Sequence, residues 1–437
     1  MKGVTLKASH TISRNKRELH LIGFCLFLIV SGFIFNSPKE IYIGLYKIMT
    51  SPSNLITDYM KLTNIGATLV NSGLTTLLTV FLLKVEKVDL TGPIIAGLLN
   101  MSGFALFGKN LLNTIPIAFG VFLYVKIMKI NFNQAAPSSL FATALGPLVS
   151  EISFAYGFTP VKGIVLGYLA GIVIGFVFKP LADNCSGFYK NYNLFNAGFT
   201  AGLLGMFATG ILRMFNIKVE TVSIISEGNN LPLFVWLMVL FAAIFIVGVF
   251  VDGYYPGRFK LLMKHSGYLA SNWVQMYGYG TVLMNMAIMG IVSTLYVVIL
   301  GGELNGATIG GIFAVTGFSA YGVHLRNTLP IYFGVYLASV LNIYDPHSTA
   351  AMLAALFGTA LVPLSGTYGP YGGILAGFSH MAMVMNVGYL HGGMNLYNNG
   401  FSSGFVAATL YPIFNAYKQY RLMKKNDLSG FHGVDDH

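Results

Sequence analysis

Charge is what this 437-residue chain lacks: Asp, Glu, Lys and Arg together make up 9% of it, where an ordinary soluble domain carries roughly 25%. That is too little polar surface to cover a water-facing globule, which excludes a soluble enzyme, a disordered chain and a nucleic-acid-binding module. Cysteine is scarce as well. Cys25 falls inside the first apolar stretch and Cys185 in a polar loop; without metal-ligand spacing they point to neither a disulfide framework nor a zinc site. No HExxH, no P-loop and no pair of intramembrane aspartates is found, and no serine-hydrolase elbow is expected. The reading therefore assigns no catalytic residue, no metal and no cofactor, while leaving room for an unfamiliar membrane-embedded enzyme.

What the chain has is apolar residues, 55% of the total, with a mean hydropathy of +0.67. It reads as an all-α integral membrane protein, its partners the lipid bilayer and a small-molecule solute, with a homo-oligomer left open and nucleic acid excluded. The excess of 26 Lys+Arg over 15 Asp+Glu then sets membrane orientation rather than partner choice. A basic N-terminus (residues 1–18) precedes an apolar run over 19–36. That run is long for a signal peptide, and Asn36-Ser37-Pro38 makes a poor cleavage site, so it reads as a retained transmembrane helix starting in the cytoplasm.

Internal repetition is the strongest signal. Residues 90–123 and 304–337 align without a gap and agree at 16 of 34 positions, among them Gly92/Gly306, Gly103/Gly317, Asn113/Asn327, Thr114/Thr328 and Pro116/Pro330. Gly66/Gly280 and Asn71/Asn285 continue the match upstream, LFATALGPL (140–148) meets LFGTALVPL (356–364) downstream, and NLFNAGFTAG (193–202) meets NLYNNGFSSG (395–404). The expected organisation is repeat one at 58–213, a connector at 214–271 holding a transmembrane helix at 232–251, repeat two at 272–417, and a cytoplasmic tail at 418–437.

Each repeat holds about six membrane segments. In repeat one they lie near 65–84, 92–108, 113–129, 137–150, 161–179 and 194–213, and the fourth of each repeat reads as short or re-entrant, below the roughly 17 residues a span needs. Lysines follow the odd segments of repeat one (Lys84, Lys87, Lys126, Lys129, Lys179, Lys190), whereas the matching loops of repeat two have none. Arg258, Lys260, Lys264, Arg326, Arg421, Lys424 and Lys425 fall on the same side if the halves are oppositely oriented; Lys109 and Lys162 are exceptions. Two inverted repeats plus an N-terminal and a connector helix result, in a multi-pass cell-membrane protein with both termini cytoplasmic.

Ionisable residues within the spans are few, with His380 the clearest. Glu151 ends a fourth segment, and Asp89 and Glu303 read as helix caps. The recurring polar groups are neutral. Asn113, Thr114, Asn196 and Thr200 in the first half, Asn327, Thr328, Asn398 and Ser402 in the second, together with His380, are the candidate substrate-binding residues. Asn196 and Asn398 each open a final helix, whose free N–H groups favour a ligand. This points to a transporter or channel for a small polar solute, with an ion-coupled carrier and an enzyme or lipid-binding scaffold as alternatives.

The NT[IL]PI.FGV and NLFNAGFTAG/NLYNNGFSSG elements resemble a bacterial family of duplicated polytopic membrane proteins catalogued as a domain of unknown function. The resemblance covers nearly the whole chain and carries no substrate. The two-fold repeat with short segments is more distantly similar to the urea channels, an architectural analogy only.

Overall fold

The computed structural model describes residues 13–268, 272–341 and 343–431, with side chains described through residue 424. Residues 1–12 of the basic N-terminus and 432–437 of the tail lie outside the described residues. The first half contains α1 (Arg14–Phe35), α2 (Pro38–Thr50), the one-turn α3 (Tyr59–Leu62), α4 (Ile65–Val85), α5 (Gly92–Phe104) and α6 (Leu111–Met128). It continues with α7 (Phe132–Ala142), α8 (Gly146–Phe154), α9 (Pro160–Cys185) and α10 (Asn196–Met214). Then come α11 (Asn230–Asp252), the short α12 (Pro256–Leu262) and α13 (Trp273–Tyr277), α14 (Tyr279–Ile299), α15 (Gly306–Phe318) and α16 (Leu325–Val340). The chain closes with α17 (Thr349–Gly358), α18 (Val362–Val387) and α19 (Asn398–Phe431). Among the described residues no strand forms, only an isolated bridge between Thr57 and Ile224. Eight described helices are long and apolar enough to cross a membrane, the build of a multi-pass membrane protein.

The expected N-terminal and connector helices are present as α1 and α11. The short elements, however, are the second segments and not the fourth. α5 and α15 have 13 residues each, about 20 Å at 1.5 Å per residue. Their C-terminal carbonyls would be stranded in apolar surroundings without a donor. Asn71 of α4 supplies one, its Nδ2 donating to the carbonyls of Ala105 (2.7 Å) and Lys109 (2.9 Å). Asn285 of α14 does the same for Ser319 (2.8 Å) and Val323 (2.9 Å).

The fourth segments are broken rather than short. Residues 132–154 run as α7, a single 3₁₀ turn at Thr143–Leu145 and α8. Residues 349–368 pass through α17, a 3₁₀ turn at Thr359–Leu361 and the start of α18, which bends at Gly369 with φ 82°. Pro147 and Pro363 sit at the beginnings of the continuing helices, where a missing N–H costs nothing. Pro116 and Pro330, in contrast, lie inside α6 and α16 rather than at their starts.

The caps differ from expectation too. The N-cap residues of α5 and α15 are Thr91 and Asn305, each two residues beyond the acids expected there. Glu303 instead accepts the Gly228 N–H at 3.1 Å, just before α11.

Small residues set the packing, as close helix approach in lipid requires. α1 meets α4 at Gly32 and Gly66, and α11 meets α14 at Gly248 and Gly280. The side chain ending each first helix accepts the same N–H: Asn36 Oδ1 that of Gly66 (2.9 Å), Asp252 Oδ2 that of Gly280 (2.7 Å). α5 and α15 run antiparallel, Gly92 lying against Ala320 and Tyr321, Gly103 against Gly310, and Gly306 against Leu106.

Candidate functional site

The starts of α10 and α19 cross at Gly198 and Gly400, where a Cβ on Gly198 would stand 2.8 Å from the Gly400 Cα. Glycine is required at such a backbone approach. One turn on, Phe199 covers Gly404 and Phe401 covers Gly202, a reciprocal pair of contacts. Six buried rings surround the crossing. Phe195 lies tilted against Phe318 with centroids 4.0 Å apart, Tyr397 meets Phe104 at 4.6 Å, and Phe141 and Phe357 complete the cluster at 5.7–6.1 Å from these. These are three sequence-matched pairs, Phe104/Phe318, Phe141/Phe357 and Phe195/Tyr397.

A cavity of about 380 Å³ ends on this cluster. Both halves line it: Pro93, Phe141, Asn193 and Asn196 from the first, Phe318, Tyr321 and Tyr397 from the second. Its walls are aromatic and neutral-polar. Asn193 ties the start of α10 to α19 through three bonds, accepting from the Phe195 N–H (3.0 Å) and Ser403 Oγ (3.1 Å) and donating to the Gly400 carbonyl (3.2 Å). The Tyr397 hydroxyl donates to Asn100 Oδ1. At the rim, Asp183 is paired with Lys179.

The nine residues singled out from sequence are spread over the fold, and of them only Asn196 lines the cavity. Its Oδ1 accepts from the Tyr189 hydroxyl and Thr200 lies buried a turn behind it. In the matching position Asn398 Oδ1 is bonded to His391 Nε2 at 2.8 Å. His380 and Ser402 form a second group, between α18 and α19: His380 Nε2 is 3.1 Å from Asn399 Oδ1 and its Nδ1 is 3.3 Å from Ser402 Oγ.

Asn113 and Asn327 are at helix starts, where they close capping boxes with Asn110 and His324 and donate to the Gly108 (2.8 Å) and Gly322 (2.9 Å) carbonyls. The Thr114 hydroxyl donates to the Asn110 carbonyl at 2.8 Å, and Thr328 leans on Asn327 Oδ1 at 3.4 Å.

Residues 400–404 do carry the spacing G-x-S-x-G, and with His380 and Asn399 the set is Ser–His–Asn. The motif lies inside the opening turns of α19, and Ser402 also donates to the Asn399 carbonyl at 3.1 Å. Ser402 and His380 are wholly buried. Geometry for attack needs a reachable hydroxyl at a sharp turn, which this helix does not provide.

Sequence reasoning passed over Asn100, Tyr397, Asn399 and the ring pairs. The Phe195/Tyr397 match inside the NLFN and NLYN motifs was the available signal. Lys109 was noted only as a charge exception. It is fully buried beside the ring cluster, its Nζ 5.1 Å from the Phe104 ring centre and without a hydrogen-bond partner. Its matched position is Val323. Among the described residues no group of three His, Cys, Asp or Glu could hold a metal ion.

Outside the spans, Asp58 ties three segments together. Its carboxylate accepts N–H groups from Met60 (2.9 Å), Ser226 (3.0 Å) and Gly306. Burial pushes its carboxyl above the usual range, and these donors pull it back.

An all-helical, multi-pass membrane protein with a neutral cavity between its matched halves is thus the class the fold and site define. The chain belongs to the family described as "Protein of unknown function (DUF1576)", which matches residues 37–214 and 255–416. No curated protein and no solved structure matches it.

Proposed function

We propose that this protein is a membrane transporter or channel for a small polar solute, its site lying at the interface of two inverted repeats. The cavity between the halves, ending on the six-ring cluster at their crossing, carries this reading. Neutral amide and phenol groups in an aromatic pocket suit a solute that hydrogen-bonds without a full charge. Asn196 holds the cavity wall, Asn398, Thr200 and Ser402 hold the helix starts behind it, and Asn113, Thr114, Asn327 and Thr328 anchor the starts of α6 and α16.

Inversion is supported by reciprocity. Antiparallel matched helices in mutual contact are what a two-fold axis in the membrane plane would produce. The shared Gly–Gly contact and the Asn36/Asp252 pairing extend the repeats to α1 and α11. Each repeat then has seven crossings, α5 and the broken α7–α8 included. An odd number inverts the second copy without a separate connector and leaves both termini on one side, the cytoplasmic side by the lysine bias.

A second reading, an ion-coupled carrier, is favoured by one observation: the buried, unpartnered Lys109 in one half only. An ionisable group at such cost inside a membrane marks pathways and relays. Flux into proteoliposomes tests both readings, using urea, glycerol, amino acids and sugars with and without proton and sodium gradients. Saturable flux of one solute class supports transport, and gradient dependence selects the coupled carrier. No flux above protein-free vesicles for any of them, from folded protein, contradicts the reading.

A further inference from the structure

A second cavity, about 390 Å³, opens sideways between α4, α6 and α7, away from the junction of the halves. Its walls are Leu78, Leu82, Ile115, Ala118, Phe119 and Phe122. Four of these, Leu78, Leu82, Ile115 and Phe119, are between 37% and 47% exposed, so the cleft faces the surroundings of the helices, which for a membrane protein is lipid. Thr114 and Thr143 form its closed end, with their hydroxyls spent on backbone carbonyls at 2.8 and 2.6 Å.

The other half shows why the cleft exists. The matched surface, lined by Val292, Tyr296, Leu329, Tyr332, Phe333 and Tyr336, stops short of Thr328 and Thr359, the counterparts of the closed end. Tyr332 fills the depth: it is 2% exposed, its hydroxyl is 2.8 Å from Ser293 Oγ, and its ring lies 4.5 Å from that of Tyr296. The first half has Ala118 at that position and Thr79 in place of Ser293. Ala118 thus leaves open the depth that Tyr332 fills in the other copy, whose matched groove, about 470 Å³, is shallower and more open.

The rim says what fills it. From Thr75 to Glu86 the cleft runs along the α4 segment, about 16 Å at 1.5 Å per residue, roughly half of a ~30 Å hydrocarbon core. That is the depth of one leaflet. Beyond the end of α4 lies Lys87, and at the end of α6 lie Lys126 and Lys129, against Glu86 on the cleft wall, while Lys84 is paired with Glu18 at 3.4 Å. Lys126 Nζ sits 5.0 Å above the ring of Phe122, itself a cleft wall. An apolar slot one leaflet deep under a basic rim matches one molecule: an anionic phospholipid, acyl chain inside and phosphate among the lysines.

We propose that this cleft holds one acyl chain of an anionic phospholipid as a resident lipid. The test is native mass spectrometry of the full chain delipidated in mild detergent and offered phosphatidylglycerol or phosphatidylcholine. Wild type should retain one phosphatidylglycerol through washing, Ala118→Tyr should lower that retention at least tenfold, and Lys126→Gln with Lys129→Gln should abolish the preference over phosphatidylcholine. Equal retention by folded Ala118→Tyr, or equal retention of both lipids by wild type, overturns the proposal. Should Ala118→Tyr not fold, phosphatidylglycerol bearing a diazirine on its acyl chain decides on wild type alone. Crosslinks concentrated on residues 75–83 and 115–122 support the site, and crosslinks spread evenly over all outward helix faces overturn it.

Discussion

Gly198 and Gly400 touch where the two final helices begin, and everything in the cavity hangs from that contact. A methyl on Gly198 would press on backbone, not on a side chain that could swing away, so Gly198→Ala should lower stability by about 1–3 kcal/mol, read as a fall in the unfolding temperature in detergent. The asparagines two residues before these glycines are placed differently: each is bonded through its side chain to a ring seven residues upstream, Tyr189 or His391. Asn196→Leu and Asn398→Leu should therefore fold and lose solute flux, and wild-type flux in both folded variants would remove them from the site. Lys109 gives the sharpest contrast between stability and function. A buried ammonium without a partner is costly, so Lys109→Met should stabilise the protein by at least about 1 kcal/mol while reducing transport; a thermal-shift measurement beside a flux assay separates the two effects.

Helices α4–α6 and α14–α16 illustrate what periodicity and composition can and cannot convey. Their existence, their order and their pairing across the chain were legible from apolar runs and from matched Gly, Asn and Pro positions. Where α5 and α15 stop was not, because neither Ala105-Leu106-Phe107 nor Ser319-Ala320-Tyr321 contains a helix breaker, and the freed carbonyls of Ala105 and Ser319 are met by Asn71 and Asn285, thirty-four residues earlier in each case. The break in the fourth segments was more legible, since the Thr-Ala-Leu 3₁₀ turns are followed at once by Gly146-Pro147 and Val362-Pro363, where proline opens the continuing helix. The candidate site was only partly legible, for the reason that hid the ends of α5 and α15: the Tyr397–Asn100 bond joins residues 297 apart, a distance no local pattern encodes. Asp58 belongs to this scale too, since its carboxylate fastens the segment before α3 to Ser226 and to the start of α15. Asp58→Ala should cost about 3 kcal/mol, as hydrogen bonds to a buried charged group are lost and their donors left unpaired; Asp58→Asn should recover part of it. Urea unfolding of the detergent-solubilised protein measures both.

In the proposed arrangement the whole molecule is two copies of one unit of seven crossings that face opposite ways, with the cavity between them. This arrangement places Lys87 and Arg421 on one side of the bilayer and Glu303 on the other. With Cys25 and Cys185 replaced by Ser, a membrane-impermeant maleimide applied to sealed vesicles should label Lys87→Cys and Arg421→Cys from the same side, and Glu303→Cys only from the opposite one. Labelling of all three from one side would make the repeats parallel. The account stands most directly on the claim that solute passes through the cavity between the halves, on whose wall Ser138 lies. The decisive measurement is flux by Ser138→Cys, in the same cysteine-free background, before and after complete reaction with a methanethiosulfonate reagent. The account predicts that modification stops flux and that solute slows the modification; full flux through completely modified protein would contradict it.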